Sequence, residues 1–227
     1  MSRRSILIAD DHPLFRAALE QVVASAFPQH RLLLAANVAE LQQAAQAEQG
    51  LDLLLLDLHM PGALGFSALC WVGGQLPGVP VVMVSANAQP DTVRRALDHG
   101  AAAFLSKSAG IEEMQRCMEA VMAGARGLHP GLSVGQKGAR LQALDVADTL
   151  SSLTPQQFRV ASMLVEGLLN KQIAGHLEVK EATVKAHMTE IFRKLGVHSR
   201  TQAVLALASL SDLVHQPQQM SPGPTGC

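Results

Sequence analysis

Five short apolar runs separated by helical patterns constrain the first half of this 227-residue chain more than any other feature. Ser5–Ala9, Arg31–Ala36, Leu51–Leu56, Pro80–Ser85 and Ala101–Leu105 read as strands. Pro13 to about Ala26, Val38–Gln49, Asp91–Asp98 and Ile111–Met122 read as helices. In the first of these, Leu14, Ala17, Ala18, Val22 and Val23 recur at three- and four-residue steps, the period of one helix face. Gly50 and Gly100 follow two of the helices as stop signals. The strands are apolar almost throughout, which is how strands read when a parallel sheet is covered on both faces. Right-handed crossovers then predict a doubly wound, five-stranded α/β sandwich over residues 1–124.

The chain changes character after that. Residues 125–150 carry Gly127, Pro130, Gly131, Gly135 and Gly138, with a short helical stretch near Ala139–Ala147, and read as a linker. From Leu153 onward every periodic segment is helical, predicting an all-α domain of four helices over 151–214. Its start signal is strong: Thr154 can cap, Pro155 suits the first helical position, and Gln157 completes a capping box. Leu153 and Phe158 stand at the two positions of a hydrophobic staple. Further helices are expected from Asn170 to about His176, Glu181 to Leu195, and Arg200 to about Leu213. Residues 215–227, rich in Gln, Pro, Gly and Ser, are expected to be disordered.

Charge follows the same division. Residues 1–124 hold 8 Lys and Arg against 12 Asp and Glu, whereas residues 151–227 hold 7 against 5. An acidic front and a mildly basic back fit two separate jobs, though a solvated surface would look the same. No apolar run approaches the ~20 residues of a membrane span, and the run after Arg3 and Arg4 is too short for a signal peptide. Cys70, Cys117 and Cys227 are odd in number and far apart, and they read as free thiols of a reducing cytoplasm.

The chemistry gathers at strand ends. Asp10 and Asp11 follow the first strand, and Asp57 follows the third. In an open parallel sheet these ends form one rim, where ligands bind. Clustered carboxylates repel one another unless a cation joins them, and a hard divalent ion such as Mg²⁺ takes oxygen ligands. Ser85 ends the fourth strand and Lys107 lies just past the fifth. A hydroxyl and an ammonium beside carboxylates and a metal suit an anionic transferred group. Any one Asp here could be a turn residue; five suitable residues on four strand ends form a constellation.

With Asp10-Asp11, Asp57-Leu58-His59-Met60-Pro61-Gly62, Ser85-Ala86 and Lys107-Ser108 in these places, residues 1–124 resemble the receiver domain of response regulators. The resemblance implies that Asp57 is the phosphoacceptor. It implies that Asp10, Asp11, Asp57 and the backbone carbonyl of His59 bind Mg²⁺, although the His59 imidazole is itself a metal-ligand type. It also implies that Lys107 contacts the phosphoryl group, that Ser85 moves toward it, and that Phe104 is a switch aromatic coupled to Ser85. From the sequence alone, Phe104 reads equally well as core.

In the back half, Lys185, Ala186 and Thr189 share one face of a helix, with Thr183, His187, Arg193 and Lys194 nearby. A short helix and a turn precede it, the arrangement that sets a second helix into a major groove. A four-helix interaction module with a charged face fits the pattern equally well. The denser string, Leu153-Thr154-Pro155, Glu166-Gly167, Asn170-Lys171-Gln172-Ile173-Ala174, Glu181 to His187 and Arg193 to Ala203, resembles the LuxR-type DNA-binding domain. That resemblance places Lys185, Ala186 and Thr189 toward bases and Asn170, Lys171, Thr183, His187, Lys194 and Arg200 toward the DNA backbone. The last helix then either forms a dimer contact or simply packs within the domain. Lys180, Phe158 and Leu169 depart from the family's usual residues; Lys180 stands where a capping Ser is common.

Together the halves resemble the NarL/FixJ class. The expected function is a two-component transcription regulator, phosphorylated on Asp57 by a sensor histidine kinase, binding double-stranded promoter DNA and dimerising when phosphorylated. No enzyme activity is expected beyond its own aspartyl phosphorylation and dephosphorylation. An acyl-lactone-sensing regulator would need an aromatic-lined pocket in the front half, which has one Trp and no Tyr. A phosphatase using Asp57 as nucleophile would leave the back half unexplained.

Overall fold

The computed structural model describes residues 4–127 and 149–208. Five strands, β1 (Ser5–Ala9), β2 (Arg31–Ala35), β3 (Leu51–Asp57), β4 (Val81–Ser85) and β5 (Ala103–Ser106), form one sheet in the order β2-β1-β3-β4-β5. Every neighbouring pair is parallel. Helices α1 (Pro13–Ala26), α2 (Val38–Ala47), α3 (Ser67–Gln75), α4 (Pro90–Asp98) and α5 (Ile111–Met122) complete the α/β unit.

Alternation along the strands builds two cores. Ile6, Ile8, Leu53, Leu55, Val82 and Val84 point to one face and pack with Leu19 and Val22 of α1 and Met114 and Met118 of α5. Leu7, Leu54, Leu56, Met83 and Phe104 point to the other, against Val38 and Leu41 of α2, Leu69 and Val72 of α3, and Val93 of α4. Connections leave β1 toward β2 and β3 toward β4, so the crevice between β1 and β3 is the switch point of the sheet. The register sets Ala9 opposite Leu56, so Asp10 and Asp57 leave the sheet side by side.

The strand and helix positions agree with the sequence reading within a few residues, with α3 as the exception. Ser67 to Val72 are all buried, so no polar face marks a helical period, and Gly73-Gly74 weakens the local preference for a helix.

The C-terminal helices are α6 (Pro155–Val165), α7 (Asn170–His176), α8 (Glu181–Leu195) and α9 (Arg200–Ala208). The capping box forms as expected: Gln157 N donates to Thr154 Oγ1 at 3.3 Å, and Thr154 N donates to Gln157 Oε1 at 3.2 Å. Leu153 and Phe158 are both buried. Val184, Met188 and Ile191 form the buried stripe of α8, which ends at left-handed Gly196 (φ 66°). Lys180 precedes α8 and gives it no side-chain cap. The second core continues through Trp71 and Leu150 into Leu153, Phe158, Leu164 and Ile173. Leu150, at the end of the span read as linker, is therefore packed. The stretch near Ala139–Ala147, the last helix beyond Ala208 and residues 215–227 lie outside the described residues. No helix among the described residues is long and apolar enough to cross a membrane.

Candidate functional site

The rim beyond β1 and β3 is a carboxylate pocket closed by one ammonium. Lys107, carried past the end of β5, places Nζ 2.8 Å from Asp10 Oδ2 and 2.9 Å from Asp57 Oδ2. Its backbone N–H donates to the Ser85 carbonyl at 2.9 Å, which ties the β5 exit to the end of β4. Burial alone would lower the Lys107 pKa, but its bonds to Asp10 and Asp57 outweigh this and raise it. Lys107 is therefore held charged. Both carboxylates are almost wholly buried, with 1% of each side chain exposed.

Backbone amides hold the remaining oxygens. His12 N donates to Asp10 Oδ1 at 2.8 Å, and His59 N donates to Asp57 Oδ1 at 3.3 Å. The His59 side chain is exposed. Asp10 Oδ2 and Asp11 Oδ1 are buried and poorly aligned with any donor, their nearest partners being the Lys107 ammonium and the His12 ring. Ligand atoms of Asp10, Asp11, His12 and Asp57 all lie within 4.8 Å of one another. Under-satisfied carboxylate oxygens at this spacing fit a hard divalent cation.

Ser85 is buried at the same rim, its Oγ accepting from Asn87 N at 3.1 Å. Phe104 is fully buried in the second core. The structure thus brings Asp10, Asp57 and Lys107 into direct contact, sets Asp11 within 4.8 Å of the other two carboxylates, and puts Ser85 at the same rim with Phe104 two residues lower on the neighbouring strand.

On the C-terminal domain, Lys185, Ala186, Thr189 and Thr183 are exposed along one side of α8. Lys185 pairs with Glu181 one turn back at 3.1 Å, and Thr189 Oγ1 donates to the Lys185 carbonyl at 3.0 Å. Lys171 is exposed near the start of α7, while Asn170 and His187 are half-buried. Two cations are engaged inside the domain. Lys194 Nζ donates to the Ser152 carbonyl at 2.7 Å and to Gln157 Oε1 at 2.9 Å. Arg200 donates from Nη2 to the Leu168 carbonyl at 2.6 Å and from Nη1 to Asn170 Oδ1 at 3.4 Å.

Two families account for these two sites. Residues 6–119 match the response regulator receiver domain, and residues 151–207 match the luxR family of bacterial regulatory proteins. The glycerol metabolism activator of Pseudomonas putida is 37% identical over 210 residues, covering 90% of this chain and 95% of its own. The chain is a two-component response regulator. Nitrate/nitrite response regulators of Escherichia coli K12 are similar over 88% of the chain, NarP at 31% identity and NarL at 28%. In fold, the regulator is like the RcsB–DNA complex, with a TM-score of 0.53 and 18% identity over 94% of this chain and all of that one.

In this response regulator the sequence reading had not singled out His12 or Arg16. His12 Nδ1 lies 2.6 Å from Asp11 Oδ1 and 3.3 Å from Lys107 Nζ, over the mouth of the receiver pocket. The Arg16 guanidinium donates to the Asp10 carbonyl and steadies the β1 exit. Adjacency to the acid pair was the signal for His12; Arg16, one helical turn further on, had none.

Proposed function

We propose that Asp57 accepts a phosphoryl group from a phosphohistidine of a sensor kinase, and that this controls how the LuxR-type domain binds promoter DNA. The ammonium of Lys107 between Asp10 and Asp57 carries the reading: a fixed positive charge already touches the carboxylate that would be modified. An Asp57 carboxylate oxygen attacks phosphorus, the N–P bond of the donor breaks, and its electron pair stays on the leaving imidazole, which takes up a proton. The acyl phosphate carries about −1.5 to −2 charges. Lys107 offsets part of that charge, and the Ser85 hydroxyl gains a strong acceptor toward which it can turn. Phe104 beneath it then has a reason to repack. Asp10, Asp11, Asp57 and the His59 carbonyl would hold Mg²⁺, which supplies further charge neutralisation on the transferred group. Loss of the phosphoryl group to water returns the chain to its starting state, so its only chemistry is on itself.

On DNA, Lys185, Ala186 and Thr189 would face base edges, with Lys171, Thr183 and His187 at phosphates. Asn170, Lys194 and Arg200 are proposed to act at the backbone from their intradomain positions. Phosphorylated chains would pair as homodimers on paired half-sites in the cytoplasm, and a solved RcsB assembly has two dimers bound to DNA.

Incubation with a small-molecule phosphodonor and Mg²⁺, followed by intact mass, tests the first step. The wild type should gain one phosphoryl group and Asp57→Asn none. An equal gain in both would move the site elsewhere and end this reading of Asp57.

A further inference from the structure

Among the described residues, helix α3 bears polar contacts that tie the two halves of the chain together, beside the packing of α2 on α6. Trp71, the only Trp in the sequence, is 1% exposed. Its Nε1 donates to the Leu153 carbonyl at 3.1 Å, and its ring meets Phe158 edge-on at 6.3 Å. One turn on, Gly74 lies so close to the second half that a Cβ there would stand 2.2 Å from the Ser151 carbonyl oxygen. Gln75 Nε2 donates to that same oxygen at 3.1 Å. The opposite side of this segment is gripped by α8: Lys194 Nζ donates to the Ser152 carbonyl, and Thr149 Oγ1 to the Lys194 carbonyl at 3.4 Å. Residues 149–153 are thus a wedge between α3 of the receiver and the C-terminal end of α8.

That wedge meets α8 at its far end. Thr183, Lys185, Ala186 and Thr189, near its beginning, stay exposed while the halves are docked, as does Lys171 of α7. We infer that the docked chain is competent to bind DNA: α3 orients the output domain through Trp71 and Gly74 without masking the reading face of α8. Control from the acid pocket then acts on the placement of α8, not on its uncovering. This rests on the reading of α8 as the DNA-contacting helix.

The chain carries its own reporter. With one Trp and no Tyr, its intrinsic emission comes from Trp71 at the joint. Gly74→Leu drives a side chain into Ser151 and should open the joint; because glycine is a poor helix former, α3 itself should not suffer. Gln75→Glu, which sets a carboxylate against the Ser151 carbonyl on an exposed position, repeats the test without a bulky group. Both variants and the wild type are titrated, full length, with a fluorescently labelled mixed-sequence duplex at low salt while Trp71 emission is followed.

The expected result has three parts. Wild-type emission is that of a buried indole and stays so on DNA. Gly74→Leu emission moves to the red. Affinities of wild type and both variants agree within about threefold. A red shift of the wild type on binding DNA, or a tenfold gain in affinity on opening the joint, would make the docked state a masked one and overturn the inference. So would unchanged emission in Gly74→Leu, which would mean that the joint does not hold Trp71. A Lys171→Ala/Lys185→Ala double variant with wild-type affinity would instead overturn the reading of α8 itself.

Discussion

The receiver pocket and the α8 surface use charged residues in opposite ways. In the pocket, Asp10 and Asp57 are buried, and Lys107 spans them. On α8, Lys185 has 64% of its side chain exposed and only a one-turn pair with Glu181. A pair of that kind contributes a few tenths of a kcal/mol and yields readily to a better partner. A pocket so pre-organised suits the small, local reaction proposed for Asp57. The α8 face is left unfilled, as the proposed DNA contacts require, since the partner would supply the other half of each.

The largest expected effect comes from removing the cation from the buried site. Lys107→Met should slow phosphorylation of Asp57 by about 100-fold or more, since a fixed charge at the transferred group is lost. Time-resolved mass measurement with a phosphodonor reads this directly, and a loss of less than threefold would reduce Lys107 to a structural ion pair. The same comparison separates the cations of the C-terminal domain. Arg200→Ala strips a charged donor from the half-buried Leu168 carbonyl and should lower stability by about 1–3 kcal/mol. Thermal unfolding of the full chain should show the second half melting earlier, while a purely DNA-facing Arg200 would leave it unchanged.

Lys185→Ala should cost about 1–3 kcal/mol at one base position of an operator and relax preference there. Lys171→Ala should weaken all duplexes alike and reduce the salt dependence by about one ion. Binding series across sequence and salt tell the two apart. The smallest effect concerns pH. Burial and the nearby Arg95 lower the pKa of His99 from its ordinary 6.5, so protonation opposes folding. The stability owed to neutral His99 is complete above pH 6.5 and is lost as pH falls below it. The drop in melting temperature between pH 7.5 and 5.5 should therefore shrink in His99→Gln.

What the sequence made legible follows from the same physics. The strands, the Thr154 cap and the rim carboxylates were readable because each rests on local pattern or on strand ends that must share a rim. Helix α3 was not readable: Ala68 to Val72 are buried between the sheet and the second half, so the polar face that announces a helix is missing. The inward bonds of Lys194 and Arg200 were equally hidden, since a cation's spacing along a helix says nothing of a carbonyl more than 30 residues away. Family resemblance assigned them to DNA, and the structure shows what else they hold.

Helix α3 also has a consequence during synthesis. The carbonyl that Trp71 needs belongs to a residue 82 positions further on. At ~5–20 residues per second, the ribosome supplies that partner ~4–16 s after Trp71 is made. The α/β unit needs nothing beyond α5 and can form in the interval, leaving a nascent receiver whose Trp71 lacks Leu153 and Phe158 over it. A receiver expressed alone is in that condition permanently, and it should self-associate more readily than the unphosphorylated whole chain.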